Sequence, residues 1–453
     1  MKNNQLKKEL RKLVIPIMIE LLLTMTLGVM DTFMLSQYSD NAVAAVGMVN
    51  TMLQLVFLLF AIINTGTSVL CAQYLGAKRW DRQVQVTGVA LIMNIIVGIV
   101  VSLTLFMLAR PLLGLMGLRE ELMSYGVSYL ELVGGFAFTQ ALSNTISASL
   151  RSANKANYPM MVIAVCNIVN IIGNYALIFG HFGLPALGVE GAAISTSISR
   201  TVSMLMLFWI LFHKHIHSFP LHLFRPFPTR ELRKLLKIGL PSAGENVSYQ
   251  TQQLILLYFV NMMGNEALAA RTYVVNIVMF VYMFAICMAQ GGSISIGHLV
   301  GMGKTEAAFL MGKYVWHWSV YVSQTFSLIC ALCGPFIMGM LTENPVIYEL
   351  GCTVFWVDFF LEAGKTINIY ATNVLRATGD VYFPFYLGVI VQWGVGVLFG
   401  YLFGIYWGLG LAGMWMAFVL DENIRGFVFI RRWNSRKWAR RSFVEREMQT
   451  KSL

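Results

Sequence analysis

Twelve predominantly apolar stretches recur along the chain, at roughly 13–35, 43–71, 86–109, 126–149, 158–180, 190–212, 236–262, 268–296, 314–341, 351–375, 382–405 and 407–430, separated by short polar segments. Each is long enough for a helix rising 1.5 Å per residue to cross a hydrocarbon core of about 30 Å. Runs of this length predict helices rather than the strands of about 10 residues that build membrane barrels. The pattern therefore predicts an all-α polytopic membrane protein with twelve transmembrane helices. In so apolar a background the polar positions carry the information.

The first stretch, LVIPIMIELLLTMTLGVMDTFML, contains two carboxylates, Glu20 and Asp31. Eleven positions at about 100° each return to nearly the same helix face, so the two acids form one stripe about 16 Å long. A carboxylate inside a bilayer is costly and, by default, faces a bundle interior and marks a proton or ion path. A purely structural pair satisfied by hydrogen bonds is the competing reading.

Composition agrees with the pattern. Of 453 residues, 57% are hydrophobic and 12% charged, about half the charge fraction of soluble proteins. The basic start, MKNNQLKKELRK, leads into a full-length apolar segment with no small-residue cleavage site, which predicts a retained first helix rather than a signal peptide. Net charge is +11, but its placement speaks for topology and against nucleic acid. The N-terminus, the loops after even-numbered stretches and the tail (nine residues from Arg425 to Lys451) hold 28 of the 33 Lys and Arg. Loops after odd-numbered stretches hold only Arg110 and Arg119, and Arg200, Arg271 and Lys365 lie within stretches. The positive-inside rule then places both termini in the cytoplasm of a cell (inner) membrane protein. The tail RRWNSRKWARRSF is expected against anionic lipid headgroups. The six cysteines are scattered in apolar segments, and the Cys330/Cys333 CxxC has no partner pair, which argues against zinc.

The chain repeats itself at an offset of 225 residues. Pro16 and Glu20 recur as Pro241 and Glu245, Gly76 as Gly301, and LRSANKANYP (150–159) as LRATGDVYFP (375–384). Six spans per half return the chain to its starting side, so the repeat predicts two pseudo-symmetric six-helix bundles of the same orientation. The expected division is an N-terminal lobe (1–212), a cytoplasmic linker (213–235), a C-terminal lobe (236–432) and a basic tail (433–453). HKHIH in the linker places His213 and His217 on one helix face and reads as an interfacial cluster rather than a metal site.

The seventh stretch repeats the acid-bearing entry helix and adds an unusually polar run, ENVSYQTQQ. Its Asn246, Ser248, Gln250, Gln252 and Gln253 are candidates to line a wet cavity. The mate of Asp31 in the second half is Leu256, so the halves are not equivalent. In the tenth stretch Asp358, Glu362 and Lys365 share one face and form either a structural ion-pair network or a coupling site. In the fifth, Asn167, Asn170 and Asn174 form an amide stripe able to hydrogen-bond a carboxylate or to bind a neighbouring helix. The small-residue run GLPALGVEGAAISTSIS brings Thr196 as a possible cavity hydroxyl. GMGKT (301–305) fails the phosphate-loop spacing because His298 stands where a glycine is required. No zinc-protease or nucleophile-elbow motif occurs, so no enzyme activity is expected.

Together these residues resemble the multidrug and toxic compound extrusion (MATE) family over about residues 10–432. The resemblance rests on Pro16 and Asp31-Thr32 followed by NAVAAVG, AQYLGAK, the LRSANKANYP repeat, Asn170 and Asn174, the GLPALGVEGAAISTSIS run and GLPSAGE. It implies a MATE/MOP-type fold whose two lobes form a V-shaped cavity. The implied activity is secondary antiport, with cationic or amphipathic small molecules leaving as H⁺ or Na⁺ enters by alternating access, and with no other cofactor. Asp31 matches the family's first-helix aspartate, and Asn170 and Asn174 match the positions around it. Glu245 matches a seventh-helix acid of one branch. The sodium-coupled branch's glutamate falls near Tyr249 and its tenth-helix aspartate on Lys365, so that second site does not carry over. Glu20, Thr196, Glu245, Tyr249, Gln253, Asp358, Glu362 and Lys365 are left as candidate cavity residues. Membrane lipids are the expected surroundings and a monomer the expected state. The alternative is a lipid or lipid-linked oligosaccharide flippase of the same superfamily, for which a basic cavity would be expected.

Overall fold

The computed structural model describes residues 3–216 and 224–444. Of the expected linker, 217–223 (His217 included) lie outside the described residues, as do 445–453 of the tail. Among the described residues every regular element is helical. The first half runs α1 (Asn3–Ser36), α2 (Asp40–Gly76), α3 (Trp80–Met107), the short α4 (Ala109–Leu115), α5 (Glu120–Gly135), α6 (Ala137–Ser152), α7 (Asn157–Phe179) and α8 (Val189–Ile210), which closes in a π-helical turn, Leu211–His215. The second half runs α9 (Thr229–Met262), α10 (Asn265–Gly301), α11 (Thr305–Leu341), α12 (Pro345–Thr378), α13 (Tyr382–Val391), α14 (Leu398–Tyr401) and α15 (Gly410–Asn434). α13 and α14 form one span with π-helical turns at Gln392–Val397 and Leu402–Tyr406.

Among the described residues twelve helical spans thus follow in the expected order, with one correction. The fourth is two helices, α5 and α6, broken at Phe136. Gly134 and Gly135 weaken the helix there, and Ser102 Oγ on α3 accepts the Phe138 N–H at 3.0 Å. Eight of the spans are long and apolar enough to cross a membrane on composition alone. The others fall short for a readable reason: the fourth is interrupted, and α9, α12 and α15 carry the second half's buried charges.

Two compact units emerge, and their composition interleaves in sequence. One comprises 15–71 and 79–239; the other comprises the residues up to Val14, 72–78 and 240–453. The first unit has an apolar core running from Met34 and Leu35 through Leu130 to Ala193. Within it, the start of α9 lies against α2, because a Cβ on Gly66 would collide with Leu235 and one on Gly239 with the Ile62 carbonyl. The second unit has its core around Leu256, Val274, Phe355 and Met414. There Gly291 of α10 admits Val14 of α1. The repeated glycines Gly76 and Gly301 are reciprocal close approaches in this unit: a Cβ on either would strike the backbone of His298 or Gln73.

The described part of the tail, up to Val444, packs against the protein. Trp438 is fully buried and stacks on Trp433 at 4.2 Å between ring centroids. Arg432 and Arg441 both bind the buried Asp380 carboxylate, at 2.8 and 2.9 Å. Gln73 accepts the Phe443 N–H and donates to the Ala377 carbonyl. Gly379 turns the chain at φ +97 directly beneath the Arg441 carbonyl, where a side chain would not fit. Trp433, Trp438, Arg432 and Arg441 are therefore engaged within the protein, while Arg431, Lys437 and Arg440 stay exposed. Arg425, counted with the tail by its position, is also inside α15 and buried.

Candidate functional site

In the first unit, α1 and α7 bring Asp31 and the amide stripe together. Asn174 Nδ2 donates to Asp31 Oδ1 at 2.6 Å, and also reaches Asn170 Oδ1 at 3.2 Å. Asn170 in turn donates to Thr196 Oγ1 on α8 at 3.3 Å. Asn170, Asn174 and Thr196 are buried, while Asp31 keeps partial exposure. Arg200, one turn beyond Thr196, lies within electrostatic reach of Asp31 and sits over the Phe57 ring. Asn174 Oδ1 and Arg200 Nη1 are buried without a partner. Tyr129, missed in the sequence because nothing in its spacing sets it apart from Tyr125 one turn earlier, is buried beside Asp31, Thr196 and Asn50. Asn167 turns elsewhere and donates to the Leu23 carbonyl of α1 at 2.7 Å.

Glu20 does not join Asp31. Arg151, in the last turn of α6, binds it at 2.9 Å. The second unit repeats this pairing 225 residues later, where Arg376 at the end of α12 binds Glu245 of α9 at 2.5 Å. Both arginines stand in the repeated LRSANKANYP and LRATGDVYFP segments, so the repeat carries each glutamate's partner with it, and both lie in the last turns of helices rather than in loops. The mates hold the stretch just beyond Pro16 and Pro241 against a second helix of the same unit.

The remaining candidates lie in the second unit. Lys365 binds Glu362 at 3.2 Å, Thr366 donates to the same carboxylate, and Asp358 accepts from Trp415 Nε1 at 3.2 Å. Lys365 also sits over the Tyr282 ring. Tyr249 is half-buried within electrostatic reach of Glu422, Lys365 and Arg425. Gln253 is half-buried on the same helix. Its neighbour Gln252 is fully buried and donates to Asp421 Oδ2 at 3.2 Å. Asp421 and Glu422 share Arg425, each at 2.8 Å. Among the described residues no cluster of three or more His, Cys, Asp or Glu is placed to hold a metal.

Known proteins supply the family. The MatE family model matches residues 16–176 and 241–402, two stretches that begin at Pro16 and Pro241 and so repeat the internal offset. The chain is a MatE-family protein. It is 40% identical over 431 residues to YisQ of Bacillus subtilis, described as an uncharacterized transporter, covering 95% of this chain and 94% of that one. It is 28% identical over 448 residues to a probable multidrug resistance protein NorM of Thermotoga maritima, covering 98% and 95%. Among solved structures, the Vibrio cholerae MATE transporter VcmN superposes with a TM-score of 0.87 at 17% identity, over 96% of this chain and 99% of that one. This MatE protein is accordingly a multi-pass membrane transporter and not an enzyme.

Proposed function

We propose that this transporter is a secondary antiporter that exports cationic or amphipathic small molecules from the cytoplasm across the cell (inner) membrane, in exchange for inward protons. One observation carries the reading: the carboxylate of Asp31, partly exposed within a membrane helix, accepts a short hydrogen bond from Asn174. A carboxylate held this way can be neutral or charged in one geometry, and burial penalises the charged form. Asn170 and Thr196 continue the chain of hydrogen bonds across to α8. Protonation of Asp31 therefore removes a charge at a junction of α1, α7 and α8, which biases packing of the first lobe and releases the exported compound. Loss of the proton to the cytoplasm resets the site. Exchange requires proton and substrate to favour different states. Arg200 near Asp31 and an amide rather than a second acid at Asn174 favour a proton over Na⁺. The names of the NorM relatives support the substrate class. In this reading the lobes 1–212 and 236–432 alternate access, the linker 213–235 and both termini face the cytoplasm, and the protein works as a monomer.

The test is efflux of a fluorescent organic cation from proteoliposomes under a pH gradient or a Na⁺ gradient, imposed separately. Wild type should respond to the pH gradient and Asp31→Asn to neither. Equal rates for Asp31→Asn and wild type under both gradients would remove Asp31 from coupling, and a response of wild type to Na⁺ alone would replace the proton.

A further inference from the structure

We propose that the second unit carries a proton-binding site of its own, formed by Asp421 of α15 facing Gln252 of α9, which loads and empties independently of Asp31. Three buried side chains meet there, Gln252, Asp421 and Arg425, and Gln252 Nε2 also donates to the backbone carbonyl of the buried Gln392 at 3.2 Å. Each of the three keeps one atom without a hydrogen-bond partner, namely Gln252 Oε1, Asp421 Oδ1 and Arg425 Nε. Buried polar atoms are rarely left unpaired, because each has given up its water without a replacement partner. The two acceptors belong to planar groups already joined on their other side, since Gln252 Nε2 donates to Asp421 Oδ2 at 3.2 Å. A hydrogen on Asp421 Oδ1 would point its O–H at Gln252 Oε1 and close a two-bond acid–amide pair. One proton thus satisfies both acceptors.

Charge leads to the same atom. Asp421 and Glu422 share the single cation Arg425, which leaves one negative charge in excess in a dry setting. Glu422 has both oxygens engaged, by Arg425 and by Asn368 Nδ2 of α12 at 2.5 Å. Asp421 has the free oxygen. The other charged or titratable groups facing the cluster do not cancel the excess: on α9, Glu245 already has Arg376 and Tyr249 is neutral, and on α12, Lys365 is held by Glu362. The remaining unpaired atom of the cluster, Arg425 Nε, is a donor on a cation, which repels a metal ion and suits a water, so the site fits a proton and not Na⁺.

The backbone is shaped for this cluster. Gln392 opens the π-helical turn 392–397, a device that re-aims side chains and is frequent at functional sites. Gly396 in that turn leaves the space that Gln252 Nε2 occupies, since a Cβ there would overlap it. Asp421, Arg425 and Gln392 stand 225 residues after Thr196, Arg200 and Asn167. Thr196 and Arg200 thus serve the first half's polar centre from the scaffold positions of Asp421 and Arg425, whereas Asn167 turns to the Leu23 carbonyl, and the acid comes from the first helix in one half and from the last in the other.

Infrared difference spectroscopy of the full-length protein in lipid nanodiscs, titrated with pH, reads protonated carboxyl groups directly and needs no transport. Wild type should show a protonated-carboxyl C=O band that disappears as pH rises, is missing in Asp421→Asn and survives in Asp31→Asn. Gln252→Leu should move that band to higher frequency by removing its acceptor. Asp421→Asn mimics the neutral acid, with its amide N–H toward Gln252, and should be as thermally stable as wild type. A spectrum of Asp421→Asn matching wild type at every pH overturns the assignment. A band from Asp421 that stays constant across the titration overturns the exchange. Failure of Asp31 as the coupling group would leave both outcomes unaffected.

Discussion

Removing Arg376 tests how much the repeated ion pairs hold. Its guanidinium meets Glu245 with both side chains about one-tenth exposed (10% and 9%), whereas Arg151 and Glu20 keep 22% and 14%. Truncating one partner of a buried pair strands the other and costs about 3–5 kcal/mol, while exposed pairs contribute about 1 kcal/mol or less. Arg376→Ala should therefore destabilise by roughly 3 kcal/mol or more, about a hundredfold in the unfolding equilibrium. Arg151→Ala should cost about 1–2 kcal/mol, between the two limits. Glu245→Ala with Arg376→Ala should cost less than either single loss would suggest when added. The assay is equilibrium denaturation in mixed lipid–detergent micelles, read by tryptophan fluorescence, for both complete double-mutant cycles. A coupling energy below about 0.5 kcal/mol for Glu245–Arg376, or one smaller than that for Glu20–Arg151, would refute the argument that burial sets the strength of these pairs.

Three further outcomes follow from the geometry. Trp438→Ala removes a fully buried ring and should cost about 3–5 kcal/mol locally, seen as faster proteolysis of the chain after Asn434 with the spans intact. Gly301→Val should abolish folded protein in a size-exclusion assay, whereas Gly303→Ala, with open space around it but φ +71, should leave a folded peak of reduced stability. Asn174→Asp sets a second carboxylate beside Asp31 at hydrogen-bond distance, so the pair should bind one cation between them. Na⁺-dependent thermal stabilisation, undetectable in wild type, would show it.

Much of this was legible in the chain, for physical reasons that also mark the limit. Span order follows from apolar length, which depends on no contact. The repeat exposed Glu20 with Glu245 and Gly76 with Gly301, and the glycines prove to be where two backbones touch. The spacing of Asn170 and Asn174 put two amides on one face, and the structure turns that face to Asp31. What periodicity cannot supply is which helix stands opposite. Glu20 and Asp31 share a helix face but meet α6 and α7 respectively, so the acidic stripe divides. In the sequence Arg425 counts with the tail cations, Gln252 is a cavity amide, and nothing singles out Asp421. They converge only once α9, α15 and the π-helical turn are placed. The break at Phe136 was hidden because an interrupted span remains apolar.

The interleaved make-up of the two units bears on how the molecule is made. The unit built from 15–71 and 79–239 is not complete until the ribosome has synthesised Leu235 and Gly239, at the start of the second half. The other unit takes in residues from the very beginning of the chain, together with Gln73, which is gripped by Phe443 near the end. The first half must therefore wait in the membrane, unfinished, while the second is translated. Co-expressed fragments cut within the linker should mature together or not at all, and quality-control proteases should find the early half a substrate whenever synthesis stalls.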